Sequence, residues 1–247
     1  MEHVGALALV GSGEYLPVMQ ELEAALLKKG IERGKTNKFV QVPLAAGRES
    51  RTRLEYWQTL GKSQAERIGA EQIFLPVFNR EDAMNNEIAE LIEDAGLIYL
   101  SGGDPHYLAA SLINTPVWEM IERNWRSGSS LAGCSAGAMA LAGDIPNFRK
   151  MKEEGSPGLN ILPTVRTIPH YNKFFGWIPD AAASHMLRAP DGVWIIGVDE
   201  GTAAVSGLDP ETSYVDLKFT VRGVAGVHVL KGGPTHKYVQ GESLSLK

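Results

Sequence analysis

The chain has 247 residues, 44% of them hydrophobic and 21% charged, which is enough to build a large buried core in one domain. Its formal net charge of -5, with no block of like charges, gives no electrostatic case for nucleic acid or an anionic membrane as partner. The single cysteine excludes an internal disulfide and a cysteine-clustered metal site, and no apolar run approaches the roughly 20 residues of a membrane span.

The start, "MEHVGALALVGSGEYLP", has a short apolar run and no basic flank. It is not expected to be a signal peptide, and a cytoplasmic protein is the default expectation. "GALALVG" (5–11) reads as a buried strand, followed by Leu16, Met19, Leu22 and Leu26 at helical spacing. "KFVQVPL" (38–44) is a second strand, and residues 50–68 are polar, with Leu54, Trp57 and Ile68 as the expected inward positions. "EQIFLP" (71–76) is a third strand, and Met84, Ile88, Leu91 and Ile92 mark the helix after it. "GLIYLSGG" (96–103) is a fourth strand. Val117, Met120, Ile121 and Trp125 mark a helix closed by Ser127-Gly128, and "SSLAGCS" (129–135) is a fifth strand. Strand and helix in alternation predict a parallel sheet with helices on both faces.

The second half differs. Residues 143–158 are rich in Gly, Pro and charge and predict a long exposed loop. After Asp191, "VWIIGVD", "TAAVSG", "SYVDLKFTV" and "GVHVLKGG" follow at short intervals, as antiparallel strands extending the sheet edge do. The tail "QGESLSLK" is expected to fray. With no repeat and no linker, residues 1–247 read as one domain.

"GCSAG" (133–137) is a G-x-S-x-G match between a predicted strand and a small-residue helical run. A nucleophile on such a turn sits in a strained conformation with glycines on either side. The Ala136 N–H, at the helix start, is placed to meet an oxyanion. Two nucleophiles compete here. The glycine register favours Ser135 over Cys134, which reads as a small hydrophobe facing the core. "GSGEYLP" after the first strand could cradle an anion, but it lacks G-x-G-x-x-G spacing and a Walker lysine. Glu14 within it could stabilise a helix N-terminus. Six histidines could serve as base: His3, His106, His170, His185, His228 and His236.

"GCSAGAM", "YLSGGDPHYL" (99–108), "LNILPTVRTIPHY" (159–171) and "GVDEGTAAV" (197–205) occur in an order that resembles peptidase family S51, the serine peptidases that include aspartyl dipeptidase (dipeptidase E) and cyanophycinase. The resemblance implies a class I glutamine amidotransferase-like fold. The expectation is thus a three-layer α/β/α sandwich, a mostly parallel central sheet with an antiparallel C-terminal extension. It further implies Ser135 as nucleophile, His170 as base, Gly103 N–H as a second oxyanion donor beside Ala136, and a place for the Glu14 loop at the active-site edge, where Glu14 would approach substrate. The acid is Glu200 by likeness to cyanophycinase or Asp144 by likeness to the dipeptidase. Glu200 is favoured because it follows the predicted central strand "VWIIGV".

Ile168 and Pro169 replace the acidic residue and glutamine that precede the histidine in cyanophycinase, so cyanophycin hydrolysis is not expected. Asp104 and Lys173 are candidate substrate-binding residues, with Arg188 a distant second cation, and Phe174, Phe175 and Trp177 could wall an apolar pocket. Asp180 and His185 have no assigned role. The expected partner is a small peptide, no cofactor or metal is required, and a homodimer is compatible with the sequence. Two other readings stay open: an esterase-type hydrolase whose base is a late histidine such as His228, and a non-catalytic binding protein on the same fold.

Overall fold

In a computed structural model of the protein, residues 4–147, 155–173, 188–232 and 235–247 are described. The first half runs β1 (Leu7–Val10), α1 (Gln20–Glu32), β2 (Lys38–Val42), α2 (Arg51–Ile68), β3 (Glu71–Phe74), α3 (Arg80–Ala83), α4 (Asn86–Glu90), β4 (Leu97–Leu100), α5 (Pro105–Leu112), α6 (Pro116–Arg126), β5 (Ser130–Cys134) and α7 (Ala136–Ala140). The second half is almost all strand: β6 (Asp144–Ile145), β7 (Ser156–Pro157), β8 (Val165–Ile168), β9 (Trp194–Val198), β10 (Thr202–Ser206), β11 (Lys218–Gly223), β12 (Gly226–Lys231), β13 (His236–Val239) and β14 (Ser243–Ser245).

The large sheet has eight strands in the order β14-β11-β10-β1-β5-β4-β2-β3. Its β3-to-β1 part is parallel, and β10, β11 and β14 extend it antiparallel. Every residue of β1, β4 and β5 is buried, as expected of strands covered on both faces. Alternation then sends neighbours into different layers. Leu9, Leu100 and Leu131 pack with α5 and α6, while Ala8, Tyr99 and Cys134 pack with α1 and α2. A large, mostly parallel sheet flanked by helices is thus the core.

Local chemistry sets the helix ends. Ser50 caps α2 through the Arg53 N–H, and Gly69 closes it in a left-handed conformation. On α6, Thr115 caps, Pro116 opens, and Val117, Ile121 and Trp125 form a buried stripe at four-residue spacing.

Several expectations need correction. The segment expected as one helix around Met84–Ile92 is two short helices, α3 and α4, each started by its own asparagine cap. Met84 and Leu91 are exposed there, at 51% and 42%. Not all C-terminal strands extend the large sheet: β13-β12-β9-β8 form a second, four-stranded sheet. The strand before Glu200, β9, is therefore interior to the small sheet rather than to the large one. The expected loop at 143–158 contains the β6–β7 pair, with residues 148–154 outside the described residues. The tail does not fray as a whole. Leu244 and Leu246 are each 1% exposed, and β14 pairs with β11. Burying two leucines stabilises this edge by about 1.5–3 kcal/mol each, enough to hold a short strand. No described helix is long and apolar enough to cross a membrane.

Candidate active site

The β5–α7 junction makes a sharp elbow. Ser135 has φ 50° and ψ −107°, a strained backbone for a residue with a side chain. A Cβ on Gly133 would stand 2.6 Å from the Gly137 carbonyl, and one on Gly137 would stand 2.4 Å from the Leu100 carbonyl. Both glycines are thus required by close packing of α7 on β5 and β4. The Ser135 N–H is tied to the Val10 carbonyl at 2.9 Å, which ends the elbow against β1. Ala136 is the first helical residue, so its N–H has no intrahelical acceptor.

The loop after β4 closes on the elbow from the side. A Cβ on Gly102 would lie 3.5 Å from the Ser135 Cβ. Gly103 has φ 142° and leaves no room for a side chain, since a Cβ would meet the Ala45 carbonyl at 2.3 Å. Among the described residues no acceptor takes the Gly103 N–H. Two amides with no acceptor among the described residues therefore stand by the elbow: Ala136, next to Ser135, and Gly103, next to the Gly102 that packs on it.

The small sheet supplies the partners. Just beyond β8, His170 adopts φ 51°, and its Nε2 lies 3.1 Å from Ser135 Oγ. Its Nδ1 lies 2.9 Å from Glu200 Oε1, just beyond β9. The Glu200 N–H donates to Asn172 Oδ1 at 3.1 Å, so the two segments are laced together. Tyr171 lies over Gly197 of β9, and its ring centroid is 4.5 Å from that of His228. His228 Nε2 in turn lies 3.1 Å from both oxygens of Asp199, a buried carboxylate 2% exposed. His228 is thus engaged behind His170 rather than beside Ser135, which removes the geometric basis for it as a base.

The other candidates fall as follows. Asp144 pairs with Arg166 through two hydrogen bonds, Nε to Oδ1 at 3.1 Å and the second from Nη2 to Oδ2. The structure places Glu200, not Asp144, against His170. Asp104 caps α5, its Oδ1 accepting from the His106 and Tyr107 N–H groups. Lys173 Nζ lies 2.6 Å from Glu200 Oε2. The Lys173 ammonium first, and the His170 imidazole second, hold the Glu200 carboxyl below its usual range. Cys134 is fully buried, and burial pushes its thiol well above the usual range, so it is a poor nucleophile. Glu14 is neither at the surface nor capping a helix: Oε1 accepts from Gly102 N–H and Oε2 from the Cys134 thiol. Phe174, Phe175, Trp177, Asp180 and His185 lie outside the described residues. Among the described residues no group of three or more His, Cys, Asp or Glu could hold a metal ion.

Sequence reasoning missed the Lys173–Glu200 and Glu14–Gly102 contacts. The first has a faint signal, a cation three residues after the histidine. The second joins residues 88 apart and leaves none.

Fold and site together define an α/β protein with a serine on a strand–helix elbow, facing a histidine and a carboxylate delivered by a second sheet. The chain belongs to Peptidase family S51, whose model matches residues 7–207. A peptidase from an acI-B1 Actinobacterium superposes with a TM-score of 0.93 at 53% identity, covering 99% of this chain and 98% of that one. A Listeria monocytogenes EGD-e protein named for peptidase E shares the fold at a TM-score of 0.56 and 17% identity, over 90% of this chain and 100% of that one. The cyanophycinase of Trichormus variabilis (strain ATCC 29413 / PCC 7937) is 32% identical over 157 residues, 58% of this chain and 50% of that protein. The chain thus spans about half the length of this relative.

Proposed function

We propose that the protein is a serine peptidase that hydrolyses an amide bond of a short peptide through an acyl-enzyme on Ser135. The observation that carries this reading is the chain of contacts from Ser135 Oγ to His170 Nε2, 3.1 Å, and from His170 Nδ1 to Glu200 Oε1, 2.9 Å. His170 takes the serine proton as Oγ attacks the carbonyl, and Glu200 orients the imidazole and stabilises its charged form. The Gly103 and Ala136 N–H groups receive the oxyanion. His170 then protonates the leaving amine, and a water activated by the same imidazole hydrolyses the ester. Family membership and the likeness to an actinobacterial peptidase support the reaction class. Ile168 and Pro169 before His170 argue against cyanophycin as substrate. A lone buried cysteine fits a reducing compartment, and cytoplasmic action is part of the reading.

A fluorophosphonate probe is expected to label the wild-type protein and to leave Ser135→Ala unlabelled. Labelling that survives the substitution overturns the reading. A dipeptide library covering Asp-Xaa, β-aspartyl and apolar N-terminal residues then identifies the substrate.

A further inference from the structure

A carboxylate that this mechanism does not use lies beneath the oxyanion loop. Glu14 is 6% exposed and belongs to the loop between β1 and α1. It accepts the Gly102 N–H at 2.9 Å and the Cys134 thiol at 2.8 Å, so it bridges the end of β4 to the end of β5 directly behind the nucleophile. Gly102 makes room for it, since a Cβ there would stand 2.8 Å from Glu14 Oε1. The thiol stays protonated in this buried setting and so remains a donor.

The loop that carries Glu14 is itself anchored on several sides. The Tyr15 hydroxyl pairs with Ser101 Oγ at 2.7 Å, one residue before Gly102. Tyr15 N–H donates to Glu23 at 3.2 Å, and its carbonyl accepts from Arg67 at 2.7 Å. These contacts hold Tyr15 at φ 65°, a conformation that costs a non-glycine residue about 1–2 kcal/mol. On the far side, Gly201 N–H donates to the Ser12 carbonyl at 3.1 Å, next to Glu200. Residues 12–15 therefore touch both the oxyanion loop and the turn that bears the triad carboxylate.

We infer that Glu14 is a positioning residue of the oxyanion hole: by engaging the Gly102 N–H it fixes the loop so that the Gly103 N–H faces the oxyanion formed on Ser135. A loop in which Gly102 N–H were unpaired could rotate that peptide toward the site and carry Gly103 away from it. Glu14 touches no reacting atom, so its removal slackens the donor without deleting it. The effect falls on the transition state, where the oxyanion exists, and not on substrate binding. The inference rests on the serine-peptidase reading above.

The test measures fluorophosphonate labelling rates and, with a substrate from the library, kcat and KM for Glu14→Gln, Glu14→Asp and Glu14→Ala. Gln keeps an acceptor for Gly102 and is expected to retain the labelling rate and kcat within about fivefold, whereas Ala is expected to lose about 10- to 100-fold in both with KM within about twofold. Asp keeps the carboxyl group but is one methylene short, and is expected to fall with Ala. It carries the test if Glu14→Ala does not fold. Hydrogen exchange over residues 100–104 is expected to quicken in Ala and Asp and not in Gln. Full-rate labelling of Ala, a Gln variant as slow as Ala, or a loss in KM alone overturns the proposal. A wild-type protein that is not labelled at Ser135 sinks the peptidase reading and the catalytic role of Glu14 with it, while exchange still decides whether Glu14 holds the loop.

Discussion

The two halves of the candidate site are built by different means. The nucleophile half is made of main chain. Ser135 is held by its own strained backbone, by glycines with no room for a Cβ, and by buried neighbours such as Cys134 and Ala136, 0% and 1% exposed. The base half is made of side chains. His170 and Glu200 are 30% and 29% exposed and are held by contacts with Asn172, Lys173 and each other. A backbone-built half tolerates little change of shape but is insulated from solvent. A side-chain-built half tolerates change of shape and answers to charge, pH and salt.

The sharpest break of that contrast is Glu200→Gln. It keeps the size of the side chain and removes the charge that stabilises the imidazolium. The labelling rate is expected to fall about 10³-fold, while thermal stability stays near wild type because the side chain is part-exposed and surface substitutions usually cost under ~0.5 kcal/mol. Asp144→Asn is the control, and its larger effect is expected on the Arg166 pair rather than on labelling. If Asp144→Asn abolishes labelling and Glu200→Gln does not, the triad carboxylate is Asp144.

The same contrast explains what the sequence disclosed. The elbow was legible because its constraint is local: Gly133 and Gly137 are demanded by contacts within a few residues and with one neighbouring strand. Ser135 over Cys134 followed from that register. The helix α5 was missed although Asp104-Pro105 is a readable cap and first-turn proline. The base half was less legible. A lone histidine beside proline carries no pattern of its own, and His170 stood out only through family resemblance. That β9 joins β8 and β12 in a separate sheet depends on pairing between distant segments, which alternation alone does not encode. The leucines of the tail show a two-residue period, but their partner strand β11 lies some 25 residues upstream.

Glu23 marks where the insulated half is itself exposed to pH. It is fully buried behind the Glu14 loop, hydrogen-bonded to the Tyr15 N–H and to Gln64. Burial pushes its carboxyl from the ordinary 4.5 up to about 8, with Glu14 adding to the rise and the hydrogen bonds opposing it. The folded protein therefore keeps a proton that the unfolded chain releases above pH 4.5. The unfolded state binds fewer protons in that window, so stability falls as pH rises from 4.5 to about 8 and levels off above it. Glu23→Gln removes the titration. Urea midpoints measured at pH 5 and pH 8 are expected to differ less in the variant than in the wild type, by an amount equivalent to a few kcal/mol. Equal slopes in the two proteins count against a protonated Glu23. The buried half then reports pH through stability, and the part-exposed half through activity.

Lys173 gives the finest test of that division. Its ammonium takes Glu200 Oε2 while the His170 imidazole takes Oε1, so one carboxylate serves two partners. Lys173→Met removes the competing charge and leaves the Glu200 charge to the imidazole alone. The imidazolium is then better stabilised, and the acid limb of the kcat/KM profile is expected to move to higher pH by about half a unit, with plateau kcat within about twofold. The sign follows from the geometry, because a lost cation can only make the remaining carboxylate a better partner for a protonated ring. Lys173 is 63% exposed, so the displacement is expected to shrink as salt is added. A limb that moves to lower pH, or one that stays in place at low salt, separates Lys173 from the triad and leaves its contact with Glu200 a surface ion pair without catalytic weight.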